Sequence, residues 1–440
     1  MSLPSSLAFA PKRSAVNSRI VTQMNIPSQG TNISPNDTVQ VPITATGKYG
    51  TFLDPSSIYV SFTLQNTDAA NDLILDSSAY SLFDRVQILS SGSVISDVQF
   101  YGAWAATMLD LGPQASRTTG LSCCAGTATA PSNTSNNVRL GQKIPFGKSL
   151  NISLPLIGTA IDASASDKMF PIGAVSDLQL QFYMSSAKNS GIWPKQTDGS
   201  LGTSGSWKIS NFRVSTSYVQ VDEAAMRMIE EEHQGVYKYS IEAWRNYAFT
   251  QPAGNTADTI PIPIKVASLK SILNTWRYTA GNESFGVHWN SVRLCPFSNI
   301  TSTNTSSYYI AIGSDCFPQV PLRHVGEHYQ SLMNTWHAAS VQGAYDNSLI
   351  AGEYDAWTAP SGTATITGGA GSFVSGVNLE AYNSRSNVSA SGVSVLGGTT
   401  ALLTAQYESN LAPNAGYVIN SFCHVDAILE IANGGMIVAY

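Results

Sequence analysis

The sequence predicts an all-β protein made of two tandem β-sandwiches, and three observations carry that expectation. Apolar and polar side chains alternate over short runs. A seven-residue pattern recurs half a chain apart. Helical spacing is confined to three short stretches. Ile58, Val60, Phe62 and Leu64 point one way while Tyr59, Ser61, Thr63 and Gln65 point the other, the period-2 signature of a half-buried strand. The pattern Asp-Thr-apolar-any-apolar-Pro-Ile occurs at 37–43 and again at 258–264, an offset of 258 − 37 = 221 in a chain of 440 residues. Matching elements follow in the same order in each half, so the sequence reads as a duplicated all-β unit.

After the strand at 58–65, residues 82–98 read as two strands around Ser91-Gly92, a turn dipeptide. Residues 97–109 place Val98, Tyr101, Trp104, Ala105 and Met108 on one side of a helix. Leu178, Leu180, Phe182 and Met184 repeat the alternation, and 211–221 is an apolar strand closing the first half. Residues 223–234 form a midpoint helix, with Asp222 as N-cap and Gly235 just past its end. In the second half a helix is expected at 326–337. The chain then finishes on a hairpin, 427–432 and 436–440 around Asn433-Gly434, the strongest short hairpin signal. The prolines near strand starts suit edge positions, where no ladder bond is lost. Stretches rich in Gly, Ser, Thr and Ala at 117–137, 185–206, 299–307 and 359–400 are expected as loops. The domain plan is an N-terminal arm at 1–20, a first unit at 21–222, a linker helix at 223–235 and a second unit at 236–440.

Composition narrows the function. Charged residues are 12% of the chain, about half the usual share of roughly 25%, while hydrophobic residues are 43% and the net charge is −6. Disorder needs the opposite balance. So uncharged a surface suits a protein largely buried against copies of itself or other partners. No run of 18 apolar residues suggests a membrane span, and the N-terminus lacks the charged start of a secretory signal. Five cysteines at irregular spacing imply neither a disulfide framework nor a zinc ribbon.

Each motif that resembles a catalytic one also has a structural reading. His324-Val-Gly-Glu-His328 matches H-x-x-E-H, but Gly326 weakens the turn and no third ligand follows, so capping and packing is the preferred reading. Gly141 to Ser149 has five residues between its glycines where a phosphate loop needs four, and it leads into a strand instead of a helix. Glu230-Glu-Glu-His233 is read as a solvated turn or an intersubunit contact, and Cys123-Cys124 as part of a loop. No nucleophile elbow stands out. The expectation is no enzyme, no catalytic residues, no cofactor and no metal.

The residues also carry a family resemblance. The opening at 37–43, the segment 50–62, the strand–turn–helix unit from Leu82 to Tyr101, and Ala267 to Leu273 resemble double jelly-roll major capsid proteins, the coat proteins of tailless icosahedral DNA viruses such as adenovirus, virophages and Polinton-like viruses. The resemblance implies two tandem eight-stranded jelly-roll sandwiches, with a short linking helix and a few short loop helices. It implies a pseudo-hexagonal homotrimer that tiles an icosahedral shell, located in the virion and assembled inside the host cell. Neighbouring capsomers, penton and minor capsid proteins and a host receptor are the implied partners. Physically, a trimer interface favours uncharged contact area, because each unpaired buried charge costs several kcal/mol. The N-terminal arm carries Lys12, Arg13 and Arg19 as its only charges, the candidate inner-face contacts to genome or an internal membrane. The alternative reading is a two-domain β-sandwich module of the carbohydrate-binding or adhesin kind.

Overall fold

Alternation in the sequence becomes strands wherever one face of a run can be buried. The protein was determined as a computed structural model, which describes residues 18–30, 32–44, 50–113, 121–127, 141–162, 168–200, 202–278, 289–297, 306–336, 347, 349, 354, 371–381, 391–407, 416–432 and 434–440. The first half holds β1 (Ser18–Asn25), β2 (Thr38–Pro42), β3 (Thr51–Leu53), β4 (Tyr59–Asn66), β5 (Leu73–Leu75), β6 (Phe83–Ser90), β7 (Ser93–Gln99), β8 (Lys143–Ile144), β9 (Ser149–Pro155), β10 (Leu178–Met184), β11 (Gly191–Ile192) and β12 (Trp207–Val221). The second holds β13 (Tyr237–Gln251), β14 (Ala257–Ile262), β15 (Ser268–Tyr278), β16 (Ser307–Ile312), β17 (Asp315–Leu322), β18 (Ser375–Asn378), β19 (Ala401–Gln406), β20 (Tyr417–Ala432) and β21 (Gly435–Ala439). The described helices are α1 (Tyr101–Leu111), α2 (Leu121–Cys124), α3 (Ala187–Ser190), α4 (Glu223–His233) and α5 (Val325–Thr335).

Each half is a sandwich of two antiparallel sheets. The first half pairs β1-β12-β4-β9 and β2-β10-β6-β7; the second pairs β13-β20-β15-β18 and β14-β19-β16-β17. With the eight long strands of each half counted in chain order, both read 1-8-3-6 and 2-7-4-5. The duplicated motif therefore marks the same element twice: 37–43 spans β2 and 258–264 spans most of β14, the second strand of each sandwich. The helices α1 and α5 likewise each follow the fifth strand. β3 and β21 add to the ends of β12 and β20, and β11-β5-β8 is a small satellite sheet.

The sequence predicts the strand faces closely. Val60, Phe62 and Leu64 are buried on β4, and Leu178, Leu180, Phe182 and Met184 on β10, each such side chain contributing about 1.5–3 kcal/mol by leaving water. Ser91 and Gly92 both take positive φ, +49° and +80°, the twist that matches a tight hairpin. The C-terminal hairpin forms as β20 and β21. Strand prolines Pro42, Pro155, Pro261, Pro318 and Pro321 all lie on sheet edges, where the missing N–H breaks no ladder.

Three boundaries differ from expectation. The helix expected at 97–109 starts at Tyr101, because Asp97 continues strand β7 and pairs with Arg85 at 2.7 Å, and Phe100 turns left-handed with φ +51° before the helix begins. The helix expected at 326–337 runs from Val325 to Thr335. The expected arm at 1–20 overlaps β1, whose Ser18 pairs with Val221, so the first sandwich starts ahead of residue 21. The midpoint helix keeps its caps: the Ala225 N–H donates to the Asp222 carboxylate at 2.8 Å, and Gln234 and Gly235 end it at φ +51° and +74°.

Candidate functional site

The two sandwiches meet along two sheet edges, β7 of the first and β13 of the second. Among the described residues no backbone ladder joins these two edge strands. Side chains reach across to edge carbonyls: Asn246 Nδ2 donates to the Gln99 carbonyl at 2.8 Å and the Tyr440 hydroxyl to the Ile95 carbonyl at 3.0 Å. Behind this seam Trp104 of α1 packs against Trp244, with ring centroids 5.6 Å apart, and Trp244 stacks on His424 at 4.6 Å. Gly158 makes room for the Trp104 ring. A Cβ there would sit 2.2 Å from the indole, and its φ of +75° already favours glycine.

A polar layer completes the junction. Asp76 of the first sandwich accepts from the backbone N–H groups of Asn290 and Ser291 and from the Ser291 hydroxyl. Arg293 pairs with Asp110 of α1, both side chains lying essentially out of solvent. Arg277 donates to the Asn420 Oδ1 through Nε and Nη2 and to the Trp289 carbonyl through Nη1. Burial pulls its guanidinium down to about 10 against the opposing charges of Asp76 and Asp84. Removing one member of such a pair strands a charge in a dry setting, at a cost of about 3–5 kcal/mol. The junction is therefore a specific fit.

A second charge cluster lies on β13, β15 and β20. Glu242 and Asp426 stand directly opposite each other, a repulsive arrangement in a sheet. A bulge between Leu269 and Ser271 delivers Lys270 to both, with Nζ 2.6 Å from Glu242, 3.1 Å from Glu380 and 3.8 Å from Asp426. Burial pulls the ammonium down, but the hydrogen bond and charge of Glu242, with Asp426 and Glu380, hold Lys270 above its ordinary range. Burial pushes Glu242 up, yet hydrogen bonding and charge from His424 and Lys270 bring it to about 2.

Of the sequence candidates, Arg19 is exposed on β1, and Lys12 and Arg13 lie outside the described residues. The two histidines of H-x-x-E-H are parted by environment. His324 is half-buried and pairs with Glu327 at 3.3 Å. His328 is buried, hydrogen-bonded through Nδ1 to the Ser375 hydroxyl at 2.8 Å and ringed by Phe297, Tyr308 and Phe373. Burial takes it down to about 3. Among the described residues no three His, Cys, Asp or Glu side chains group as metal ligands. None of the five cysteines lies in a disulfide, and burial pushes the Cys124 thiol up, toward its less nucleophilic form. Glu230 lines a mostly apolar cleft of about 440 Å³ between α4, the Gly50–Phe52 segment and Gly434. A polar cleft of about 650 Å³ lies over β4, β9 and β12, lined by Ser61, Thr63, Asn151 and Arg213. Neither presents a nucleophile paired with a base. The residues that do the structural work here, Asp76, Asp110, Lys270, Arg277 and Arg293, give no motif in the sequence; their only signal is rarity, as charges in a charge-poor chain.

No family profile and no curated protein sequence matches the chain. Solved structures do. VP54 of PBCV-1, fitted into a reconstruction of the virophage Sputnik, superposes with a TM-score of 0.60 at 13% identity, covering 98% of each chain. The Faustovirus major capsid protein gives 0.51 at 12% identity, covering 97% of this chain and 92% of that one. The mavirus major capsid protein gives 0.51 at 12% identity, covering 100% and 94%. The fold is a double jelly roll. The likeness extends over both rolls. At such identities it is backbone topology that is shared. No described helix is long and apolar enough to cross a membrane.

Proposed function

We propose that this chain is the major coat protein of an icosahedral virus shell, a non-enzymatic subunit that assembles as pseudo-hexagonal homotrimers and resides in the virion. The observation that carries the reading is the full-length likeness to capsid structures, with both rolls included. Chemistry supports it. The chain is poor in charge, its shifted titratable groups are engaged in packing, and neither of the two clefts described above pairs a nucleophile with a base. Partners on this reading are further copies of the chain, penton and minor capsid proteins, and a host receptor. Lys12, Arg13 and Arg19 contact genome or an internal membrane on the inner face.

Native mass of the purified protein, with negative-stain images, tests this. A species of about 140 kDa, three times 46.8 kDa, with a pseudo-hexagonal outline supports it. A monomer that persists at high concentration overturns it and favours a two-domain binding module, to be probed with glycans. Deleting residues 1–13 removes Lys12 and Arg13 while leaving β1 whole. The expected result is an intact trimer with impaired particle formation, and normal particles would remove the arm from the account.

A further inference from the structure

We propose that the apolar cleft beside α4 is the seat of the chain's own N-terminal arm, with Leu7 and Phe9 inside it and Lys12 and Arg13 on the glutamates at its mouth. The proposal concerns the subunit before assembly and does not rest on the coat-protein reading. The cleft, about 440 Å³, is walled by Phe52, Ala174 and Val175 of the first roll, Met226 of α4 and Tyr237 of the second roll. Phe52, Ala174 and Val175 are only half-buried, so an apolar occupant takes their remaining surface out of water.

Three observations name the occupant. The first is where the arm meets the fold. β1 is the outer strand of its sheet, with Ile20 and Met24 exposed. Its first residue, Ser18, pairs with Val221, and α4 starts two residues beyond Val221. The Val221 N–H donates to the Gly50 carbonyl at 2.9 Å, and Gly50 lines the cleft. The second is length. Arg13 lies five residues ahead of Ser18, about 16–18 Å of extended chain, and the 11 residues of α4 rise about 16 Å. An arm laid along α4 therefore brings Lys12 and Arg13 to the C-terminal end of that helix, with Phe9 and Leu7 within reach of the cleft. The third is charge. Residues 1–17 carry Lys12 and Arg13 and no acid, and their large apolar side chains include Leu3, Leu7 and Phe9. The matching end of α4 carries Glu230, which lines the cleft, and the exposed Glu231 and Glu232. Seated this way, the arm keeps its apolar and basic side chains from other surfaces until a shell forms. On the coat-protein reading, the same two charges turn to the inner face at that step.

The test uses the full chain. With p-benzoylphenylalanine in place of Phe9, irradiation is expected to join the arm to residues 50–52, 171–176 or 223–237, read by peptide mass, while the product stays at 46.8 kDa on a denaturing gel. Trypsin, which cuts after Lys12 and Arg13, gives a second reading. Phe9→Ser is expected to speed that cleavage by about tenfold or more, the scale of exposing a buried aromatic ring. Glu230→Gln with Glu231→Gln is expected to speed it by about threefold, the scale of losing exposed ion pairs. Both glutamates lie at the surface of α4, so that variant is expected to fold as the wild type does, which circular dichroism checks. Cross-links that fall elsewhere on the chain, or none, overturn the proposal, as does cleavage that neither variant speeds. A cross-linked product of twice the chain's mass puts the arm in another copy's cleft and overturns it as well. Each of these results leaves the coat-protein reading in place, because that reading is tested by native mass.

Discussion

The two rolls share one connectivity and fill it with different chemistry. In the first, Phe62, Phe83, Phe182 and Phe212 pack ring against ring, with Phe62 stacked on Phe212 at 5.8 Å. In the second, Trp276 donates to the Tyr407 hydroxyl, and Tyr407 and Tyr417 both donate to buried Asp258 at 2.7 Å. Asn274 meets Tyr308 and Ser421, and His328 meets Ser375. The aspartates of the duplicated motif show the divergence in a single pair. Asp37 is exposed and accepts the Ser34 N–H, whereas Asp258 anchors two tyrosines inside the second roll. Duplication has preserved which strand neighbours which, and left each interior free to choose dispersion or hydrogen bonding.

The difference can be broken most severely at the seam both rolls share. Asp110→Ala strands Arg293 and is expected to cost about 3–5 kcal/mol, with both rolls losing stability together in a calorimetric scan; two separated transitions would show that the rolls are held independently. Within the rolls the expected ranking is apolar over polar. Phe212→Ala opens a cavity in the first roll at about 3–4 kcal/mol. Asp258→Asn weakens two charge-assisted bonds in the second at about 2–3 kcal/mol, both read by denaturant midpoint.

Acid sharpens the contrast. His328 is neutral in the fold down to about 3, while in the unfolded chain it takes a proton below about 6.5. Unfolding therefore gains a proton in that window, and stability falls by about 1.4 kcal/mol per pH unit as pH drops from 6.5 toward 3. Glu242, held at about 2, adds a second loss between its ordinary range and that value. The second roll should loosen first on acidification, followed by amide exchange, and His328→Phe should flatten the upper part of the slope. An unchanged slope would place the acid sensitivity elsewhere. At the small end, Glu223→Gln removes an exposed pair with Arg227 and should move stability by less than about 0.5 kcal/mol.

How much of this was legible in the sequence follows from the same physics. Strand faces such as Val60-Phe62-Leu64 were readable because burial of one sheet face imposes period 2 on neighbouring residues. The repeated Asp-Thr motif gave the duplication because it recurs at the same strand. Residues 97–109 misled, since Val98, Tyr101 and Trp104 fit helical spacing even though the first of them belongs to a strand. The junction stayed hidden because its partners, Asp110 with Arg293 and Asp76 with Ser291, are 183 and 215 residues apart, and long-range pairs leave no local period. The exposed β1 edge was hidden for a simpler reason. Its alternation shows two faces but not whether a neighbour covers the second.

Lys270 has a consequence for ion dependence. Three carboxylates converging on one point are what a divalent cation ordinarily neutralises, and a cluster that relies on such an ion can be loosened by chelation. Here the neutralising charge is covalently part of the chain, delivered by a bulge and available at any ion concentration. The cluster should hold its shape equally in calcium and in chelator. The cation that would elsewhere come and go has become a fixed component of the chain.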